Sequence, residues 1–124
     1  MSEPFPHADM TPLSILIVED EAMISMMLEE YLEALGHKVA ANASSVDEAM
    51  ALIKSGTPDL AILDCYLGSE EIWPVADILT ECGVPVILSS GGSTSTLPER
   101  YASCPMLQKP YTIGALSDIL ERAG

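Results

Sequence analysis

Basic residues are scarce in this sequence. Its 124 residues include five lysines and arginines against 19 aspartates and glutamates, which gives a formal net charge of −14. Direct binding to nucleic acid is therefore disfavoured, because proteins bind phosphate backbones mainly through Lys and Arg. The acidic surface suits cations and basic partner proteins, although for most of these residues it indicates no more than solubility.

Long apolar runs are also missing. None reaches the roughly 18 residues that a membrane helix needs, and residues 1–6 (MSEPFP) have neither the basic nor the apolar region of a signal peptide. The three cysteines, Cys65, Cys82 and Cys104, lack metal-binding spacing. We expect them to be free thiols, because cytosolic chains rarely form disulfides. These absences predict a cytoplasmic protein that does not bind membranes.

Enough apolar residues remain for one folded domain. Hydrophobic residues make up 48% of the chain, and its length leaves room for a single core. The first twelve residues hold three prolines and no periodic pattern. We therefore expect a flexible tail at residues 1–12 and one domain at residues 13–124. His7 lies in this tail without a ligand partner, so no metal role is assigned to it.

Two short apolar runs end on acidic residues. Residues 60–63 (LAIL) precede Asp64, and residues 15–18 (ILIV) precede Glu19 and Asp20. Four consecutive apolar residues are typical of a strand that is buried on both faces in a parallel sheet. Because α/β folds place their chemistry at the carboxyl ends of parallel strands, we predict that these three acids share one site.

Strand and helix patterns alternate five times along the chain. Apolar residues spaced three and four apart predict amphipathic helices, with Gly36 after the first and a capping box of Ser45 and Glu48 before the second. Thr112 can cap the last helix. Five β-α repeats predict a parallel sheet covered on both sides. The predicted strands are 14–19, 38–41, 60–64, 84–88 and 106–108, and the predicted helices are 24–35, 46–53, 72–79, a short one at 97–102, and 113–120.

Two connections near the acidic edge are interpreted as loops. Residues 65–69 follow Asp64, and residues 91–95 are small and polar, so we expect the second connection to be mobile.

The strand ends also supply a hydroxyl and an ammonium group. Ser90 follows the fourth strand and Lys109 the fifth; Ser89 is the competing hydroxyl, but strand alternation points it away from the face of Ser90. Three neighbouring carboxylates repel one another, and a divalent cation with oxygen ligands, Mg²⁺, offsets that repulsion. A carboxylate nucleophile, a metal, a hydroxyl and a lysine together predict phosphoryl transfer to Asp64. For residues 91–96, the alternative to a plain loop is a loop that this phosphorylation orders.

In this order, the motifs resemble the receiver domain of bacterial two-component response regulators. The resemblance covers about residues 13–122 and rests on ILIVEDE at 15–21, the strand ending at Asp64, VPVILSSG at 84–91, and Lys109-Pro110. It implies a flavodoxin-like, doubly wound, five-stranded parallel sheet with strand order 2-1-3-4-5 and about five helices, the fourth short or irregular.

The resemblance also implies a role for each acid of the site. Asp64 matches the phosphorylated aspartate. Asp20 matches the direct Mg²⁺ ligand, and Glu19 its acidic neighbour that acts through water. The backbone carbonyl of Tyr66 would complete the protein ligands of the metal.

The remaining site residues follow from the same resemblance. Ser90 matches the switch hydroxyl and Lys109 the phosphate-binding lysine, while Pro110 would carry a cis peptide. Met106 is a departure, because the family usually has an aromatic switch residue there. A relay from Ser90 to an aromatic ring is therefore not expected in its usual form.

Two further stretches resemble a subgroup of single-domain receivers from alphaproteobacteria, some of which act in general stress signalling. The first is residues 64–70 (DCYLGSE), and the second, within residues 97–111, includes the segments LPERY at 97–101 and LQKPY at 107–111. That subgroup often carries a Phe-Ala-Thr-Gly-hydrophobic-Tyr signature, and residues 88–93 of this chain are LSSGGS.

The favoured function is that of a single-domain response regulator. It would accept a phosphoryl group on Asp64 from a histidine kinase or a histidine phosphotransfer protein, and then bind a downstream protein or act as a phosphate sink. Its catalysis would be limited to its own phosphorylation and slow dephosphorylation. The choice between a monomer and a weak dimer stays open.

Two alternatives belong to other functional classes. A pseudo-receiver that docks proteins without phosphorylation is favoured by Met106 and disfavoured by the complete acid set. A small phosphatase of similar fold is disfavoured, because Tyr66 stands where that enzyme needs a general acid. Met23 and Met26 on the first helix are interpreted as core or solvent-facing residues, with a docking surface for the kinase as the alternative.

Overall fold

A parallel sheet forms the centre of the fold. The computed structural model of the chain describes residues 12–91 and 97–123. The strands in these ranges are β1 (Ser14–Val18), β2 (Lys38–Ala43), β3 (Leu60–Asp64), β4 (Tyr66–Leu67), β5 (Glu70–Glu71), β6 (Val86–Ser90) and β7 (Met106–Gln108). Five of them pair in parallel in the order β2-β1-β3-β6-β7. The predicted doubly wound order, 2-1-3-4-5 among the sheet strands, is confirmed.

Helices cover both faces of this sheet. They are α1 (Ala22–Ala34), α2 (Val46–Ser55), α3 (Trp73–Glu81) and α4 (Ile113–Ala123). Successive residues of β1 point to opposite faces: Ile15 and Ile17 pack in the layer of α1 and α4, and Leu16 and Val18 in the layer of α2 and α3. Burying such a side chain contributes about 1.5–3 kcal/mol. The packing of these two apolar layers therefore holds β1 and β3 in place, and with them the acids at the carboxyl edge of the sheet.

The helix ends follow the predicted signals. Gly36 lies just past α1 with φ +92°, a conformation that glycine adopts without steric cost. The Ser45 hydroxyl accepts the Glu48 backbone N–H at 3.1 Å. The Glu48 carboxylate reaches the N–H of Ser44 at 2.8 Å, one residue earlier than in a capping box. Thr112 Oγ1 accepts the backbone N–H of Ala115 and caps α4.

Two predicted connections have a different structure. Residues 65–69, predicted as a loop, enter a small antiparallel hairpin in which β4 pairs with β5 around Gly68, at φ +62°. The Glu70 carboxylate of this hairpin accepts the N–H of Val46 and so holds it against the N-terminus of α2. The helix predicted at residues 97–102 is a single 3-10 turn, Glu99–Tyr101.

Strand boundaries also differ slightly from the prediction. β2 extends to Ala43 instead of residue 41, because its pairing with β1 continues to Val18. β6 begins at Val86 instead of residue 84, after Pro85, which has no N–H to donate to a ladder. The tail predicted for residues 1–12 lies, apart from Pro12, outside the described residues, as do His7 and most of the predicted mobile loop at 91–95.

Candidate functional site

Three carboxylates meet at the carboxyl edge of the sheet. Glu19 and Asp20 follow β1, and Asp64 ends β3, the strand that pairs with β1. One oxygen from each of the three side chains lies within 4.8 Å of the others. The structure thus brings together all three acids that the sequence placed in one site.

The environments of these acids differ. Glu19 and Asp64 are buried, with 5% and 6% of their surfaces exposed, whereas Asp20 is exposed. Burial raises the pKa of Glu19 to about 7; a hydrogen bond from Lys109 lowers it, and the charge of Asp64 raises it. The Glu19 carboxylate also accepts the backbone N–H of Glu21 at 3.1 Å. A proton or a cation is therefore needed to balance this cluster near neutral pH.

Lys109 supplies part of that balance. Its Nζ atom lies 2.9 Å from Oε1 of Glu19 and 3.1 Å from Oδ2 of Asp64. Burial lowers the pKa of Lys109, but the hydrogen bonds to these two carboxylates outweigh burial and raise it. The Lys109 N–H donates to the Ser90 carbonyl at 2.9 Å, and the peptide to Pro110 is cis, as predicted.

Ser90 and Tyr66 lie beside this cluster. Ser90 is buried at the end of β6, one residue beyond Ser89, which pairs with Asp64. Ser89 is buried too. The backbone N–H of Tyr66 makes a long hydrogen bond of 3.4 Å to Oδ1 of Asp64. The backbone at Tyr66 is therefore in direct contact with the acid that it follows.

Glu21 and Tyr111 also lie near the site, although neither was predicted as a site residue. Oε1 of Glu21 lies 3.5 Å from Nζ of Lys109. Burial, followed by the charge of Glu19, raises the pKa of Tyr111, whose side chain lies in the layer of α1 and α4. The sequence did contain a signal for both residues. Glu21 directly follows Glu19-Asp20, and Tyr111 directly follows Lys109-Pro110. A residue next to a strand end stays close to the carboxyl edge of the sheet, where the site lies.

The donor set fits a hard divalent cation. Glu19, Asp20 and Asp64 provide carboxylate oxygens only, which are the ligands that Mg²⁺ and Ca²⁺ prefer. The single ammonium of Lys109 cannot neutralise three carboxylates. These acids could therefore hold a metal ion at the sheet edge.

The three exposed large apolar side chains of the described residues lie on one layer of the fold. Met23 and Met26 on α1 are 83% and 59% exposed, and Ile113 on α4 is 38% exposed. The two methionines are therefore solvent-facing and not core residues, so the core part of their interpretation is wrong. Their exposure is also compatible with the alternative, a docking surface for the kinase. Within the described ranges, no helix has the length and apolar character to cross a membrane.

Comparisons with known proteins agree with this geometry. The family model "Response regulator receiver domain" matches residues 15–121. The chain resembles the solution structure of SdrG from Sphingomonas melonis Fr1, with a TM-score of 0.81 and 39% identity, over 89% of this chain and 94% of that one.

Curated relatives are longer than the matched region. Phyllosphere-induced regulator PhyR of Methylorubrum extorquens is 35% identical over 94% of this chain, which spans 45% of that protein. Transcriptional regulatory protein PdtaR of Mycobacterium tuberculosis is 31% identical over 99% of this chain, which spans 62% of that protein. With the family model covering nearly the whole domain, the chain belongs to the response regulator receiver domain family of two-component signalling.

Proposed function

We propose that this receiver accepts a phosphoryl group on Asp64 from a histidine kinase or a histidine phosphotransfer protein. The observation that carries the proposal is the geometry around Asp64. Its Oδ2 lies 3.1 Å from Nζ of Lys109, and its carboxylate lies among the oxygens of Glu19 and Asp20. A nucleophilic carboxylate, a cation site and an ammonium group are the components that phosphoryl transfer to a carboxylate needs.

The proposed metal is Mg²⁺. Asp20 and Asp64 would hold it directly, with the Tyr66 carbonyl, while Glu19 would act through water. When bound, Mg²⁺ offsets the negative charge that builds up on the phosphoryl oxygens. The acid cluster of this chain would thus hold the metal that compensates the charge of the phosphoryl group.

The transfer itself uses the side chains of this chain. One oxygen of Asp64 attacks the phosphorus, the P–N bond of the donor's phosphohistidine breaks, and its electron pair returns to the imidazole. Lys109 is positioned to hold a phosphoryl oxygen once it leaves Glu19, and the buried Ser90 hydroxyl is the candidate donor to another. Water then slowly hydrolyses the aspartyl phosphate at the same site. The catalysis of the domain is thus limited to its own phosphorylation and dephosphorylation.

The donor would dock beside the acids. Met23 and Met26 are exposed on α1, the helix that starts directly after Glu19-Asp20-Glu21. Methionine adapts to varied partner surfaces because its side chain is unbranched and polarizable. After phosphorylation, the changed charge at Asp64 would bias the binding of a downstream protein, or the domain would act as a phosphate sink.

Intact-mass spectrometry tests this function. Wild-type protein is incubated with acetyl phosphate, with and without Mg²⁺, and also with a kinase preparation from the same organism. We expect a gain of one phosphoryl group that requires Mg²⁺ and is lost in Asp64→Asn. Asp118→Asn, a matched change at an exposed acid of α4, should keep the gain.

The alternative is a pseudo-receiver that docks proteins without being phosphorylated. It is favoured by Met106, a partly buried aliphatic side chain packed against the core, in the position where the family usually has an aromatic residue. No gain of mass from either donor would support this alternative and exclude the phosphorylation proposal.

A further inference from the structure

Three aromatic rings connect the acidic site to residues 97–104, which precede β7. The ring centroids of Tyr66 and Trp73 are 6.4 Å apart, with their planes at 84°, an edge-to-face contact. Those of Trp73 and Tyr101 are 5.6 Å apart, with their planes at 19°, a stacked contact. Both geometries are favourable for aromatic pairs. The rings therefore form a continuous row from β4 across the start of α3 to the 3-10 turn.

Asp77 holds the far end of this row. Its two carboxylate oxygens accept hydrogen bonds of 2.9 Å from Nε and Nη2 of Arg100, and Oδ1 also accepts the Tyr101 hydroxyl at 2.5 Å. The Arg100 guanidinium lies 5.2 Å from the centre of the Tyr101 ring. A bidentate arginine–carboxylate pair fixes orientation as well as distance. We call these contacts of Asp77 with Arg100 and Tyr101 the Asp77 clamp.

The near end of the row touches the site itself. The Tyr66 N–H contacts Oδ1 of Asp64 at 3.4 Å, which is long for a hydrogen bond. A phosphoryl group and a metal ion at Asp64 would engage its oxygens and compete with this contact. Trp73 is buried in the layer of α2 and α3. Because packed interiors do not absorb displacements by compression, a shift of Tyr66 would pass to Trp73 and Tyr101.

We propose that Tyr66, Trp73 and Tyr101 couple the loading of Asp64 to the position of the segment at residues 97–104. The Asp77 clamp favours the arrangement in which Lys109 compensates the carboxylates. This inference rests on the proposed function, because it assigns a structural consequence to the loading of Asp64. If the Asp77 clamp favours one arrangement and a ligand at Asp64 favours the other, closing the clamp weakens ligand binding, and ligand binding weakens the clamp by the same factor. Opening the clamp therefore strengthens binding at Asp64.

Trp73 makes the coupling measurable, because it is the only tryptophan of the chain. The probe is beryllofluoride with Mg²⁺, which imitates a phosphoryl group on a carboxylate. Calorimetry gives its affinity for the wild type, for Asp77→Asn and for Glu81→Gln, a control that removes an exposed acid at the end of the same helix. We expect a change of Trp73 fluorescence on loading, and at least about fivefold tighter binding to Asp77→Asn than to Glu81→Gln.

Equal affinities of the two variants would overturn the coupling. So would an unchanged Trp73 fluorescence in wild-type protein that binds the probe by calorimetry. If circular dichroism finds Asp77→Asn unfolded, Tyr101→Phe replaces it, because it removes only the hydroxyl that contacts Asp77 and keeps the ring. It should tighten binding in the same direction.

The two proposals fail in different ways. A wild-type protein that binds no beryllofluoride and gains no phosphoryl group would overturn the proposed function, and the coupling with it. A protein that loads normally but shows no effect of the clamp variants would overturn the coupling alone.

Discussion

The Nζ atom of Lys109 lies 3.1 Å from Oδ2 of Asp64, although the two residues are 45 positions apart in the sequence. The contact forms because β3 and β7 both flank β6 and all three strands run in the same direction. The same ammonium contacts Glu19 at 2.9 Å. Lys109 is thus the cation on which two buried carboxylates depend, and this dependence can be measured.

Removing Lys109 should destabilise the protein in the absence of a divalent cation. We expect Lys109→Ala to lower the free energy of unfolding by about 3 kcal/mol, because it leaves buried carboxylates without a partner. Addition of Mg²⁺ should restore most of the loss, since the metal compensates the same charges. Urea denaturation with and without Mg²⁺ measures both effects.

Lys54→Ala is the control for this experiment, because Lys54 is exposed at the end of α2. It should change the free energy of unfolding little, and Mg²⁺ should act on it as on the wild type. If Mg²⁺ stabilised both variants equally, Lys109 and the metal would not share their carboxylates.

Glu19 should determine how tightly the metal binds. Glu19→Gln keeps the size of the side chain but removes its charge, so we expect about a tenfold loss of Mg²⁺ affinity, the lower end for a group that supports metal ligands. Calorimetric titration with MgCl₂ measures this affinity. Glu30→Gln removes an exposed acid from α1 and should leave it unchanged; equal losses in the two variants would indicate only a general effect of net charge.

The exposed methionines of α1 should act on transfer from a protein donor and not on the chemistry. We expect Met23→Ser with Met26→Ser to slow phosphorylation by a histidine kinase at least about tenfold, because apolar contact area with the donor is lost. Uptake from acetyl phosphate, which needs no docking surface, is the internal control. A kinase rate equal to that of the wild type would place the docking surface elsewhere.

The elements that the sequence predicted well depend on local information. Buried strands such as β3 are consecutive apolar residues, and helix ends such as those at Gly36 and Ser45 are set by one residue's backbone preference or side-chain oxygen. The acids could be placed in one site for the same reason, since each directly follows or ends a strand that was identifiable by itself.

The remaining features depend on contacts between distant residues. The 3-10 turn at Glu99–Tyr101 is held by Asp77, 23 residues before Arg100, and no local pattern marks that pair. The hairpin after Asp64 is held against α2 by the Glu70 carboxylate, which accepts the backbone N–H of Val46, again a long-range contact. The row of Tyr66, Trp73 and Tyr101 could not be predicted, because stacking depends on how α3 packs against the sheet.

The turn after α1 offers a test of backbone conformation. Gly36 has φ +92°, and open space surrounds the position of an added Cβ, so any cost of Gly36→Ala comes from the backbone alone. We expect a loss of about 1 kcal/mol, because alanine disfavours this region. Gly56, with extended backbone and equally open space, is the matched control. Gly56→Ala should be neutral or slightly stabilising in thermal unfolding; an equal loss at both positions would contradict this explanation.

His37 should make stability depend on pH in a defined direction. Its Nδ1 accepts the backbone N–H of Leu13 at 3.0 Å, so this nitrogen carries no proton and the ring is neutral. Burial lowers the pKa of His37 below its ordinary value of 6.5. The unfolded chain therefore takes up a proton at higher pH than the folded one. The stability from His37 is fully present above the unfolded pKa and is lost as pH falls from there through the folded pKa.

The measurement is the difference in free energy of unfolding between the wild type and His37→Gln, from urea denaturation between pH 7.5 and 5. The difference removes contributions common to both proteins, including that of Glu19, whose raised pKa acts with the opposite sign in this range. We expect the advantage of the wild type to shrink as pH falls. A constant difference for His37→Gln across the range would mean that the ring does not titrate with folding.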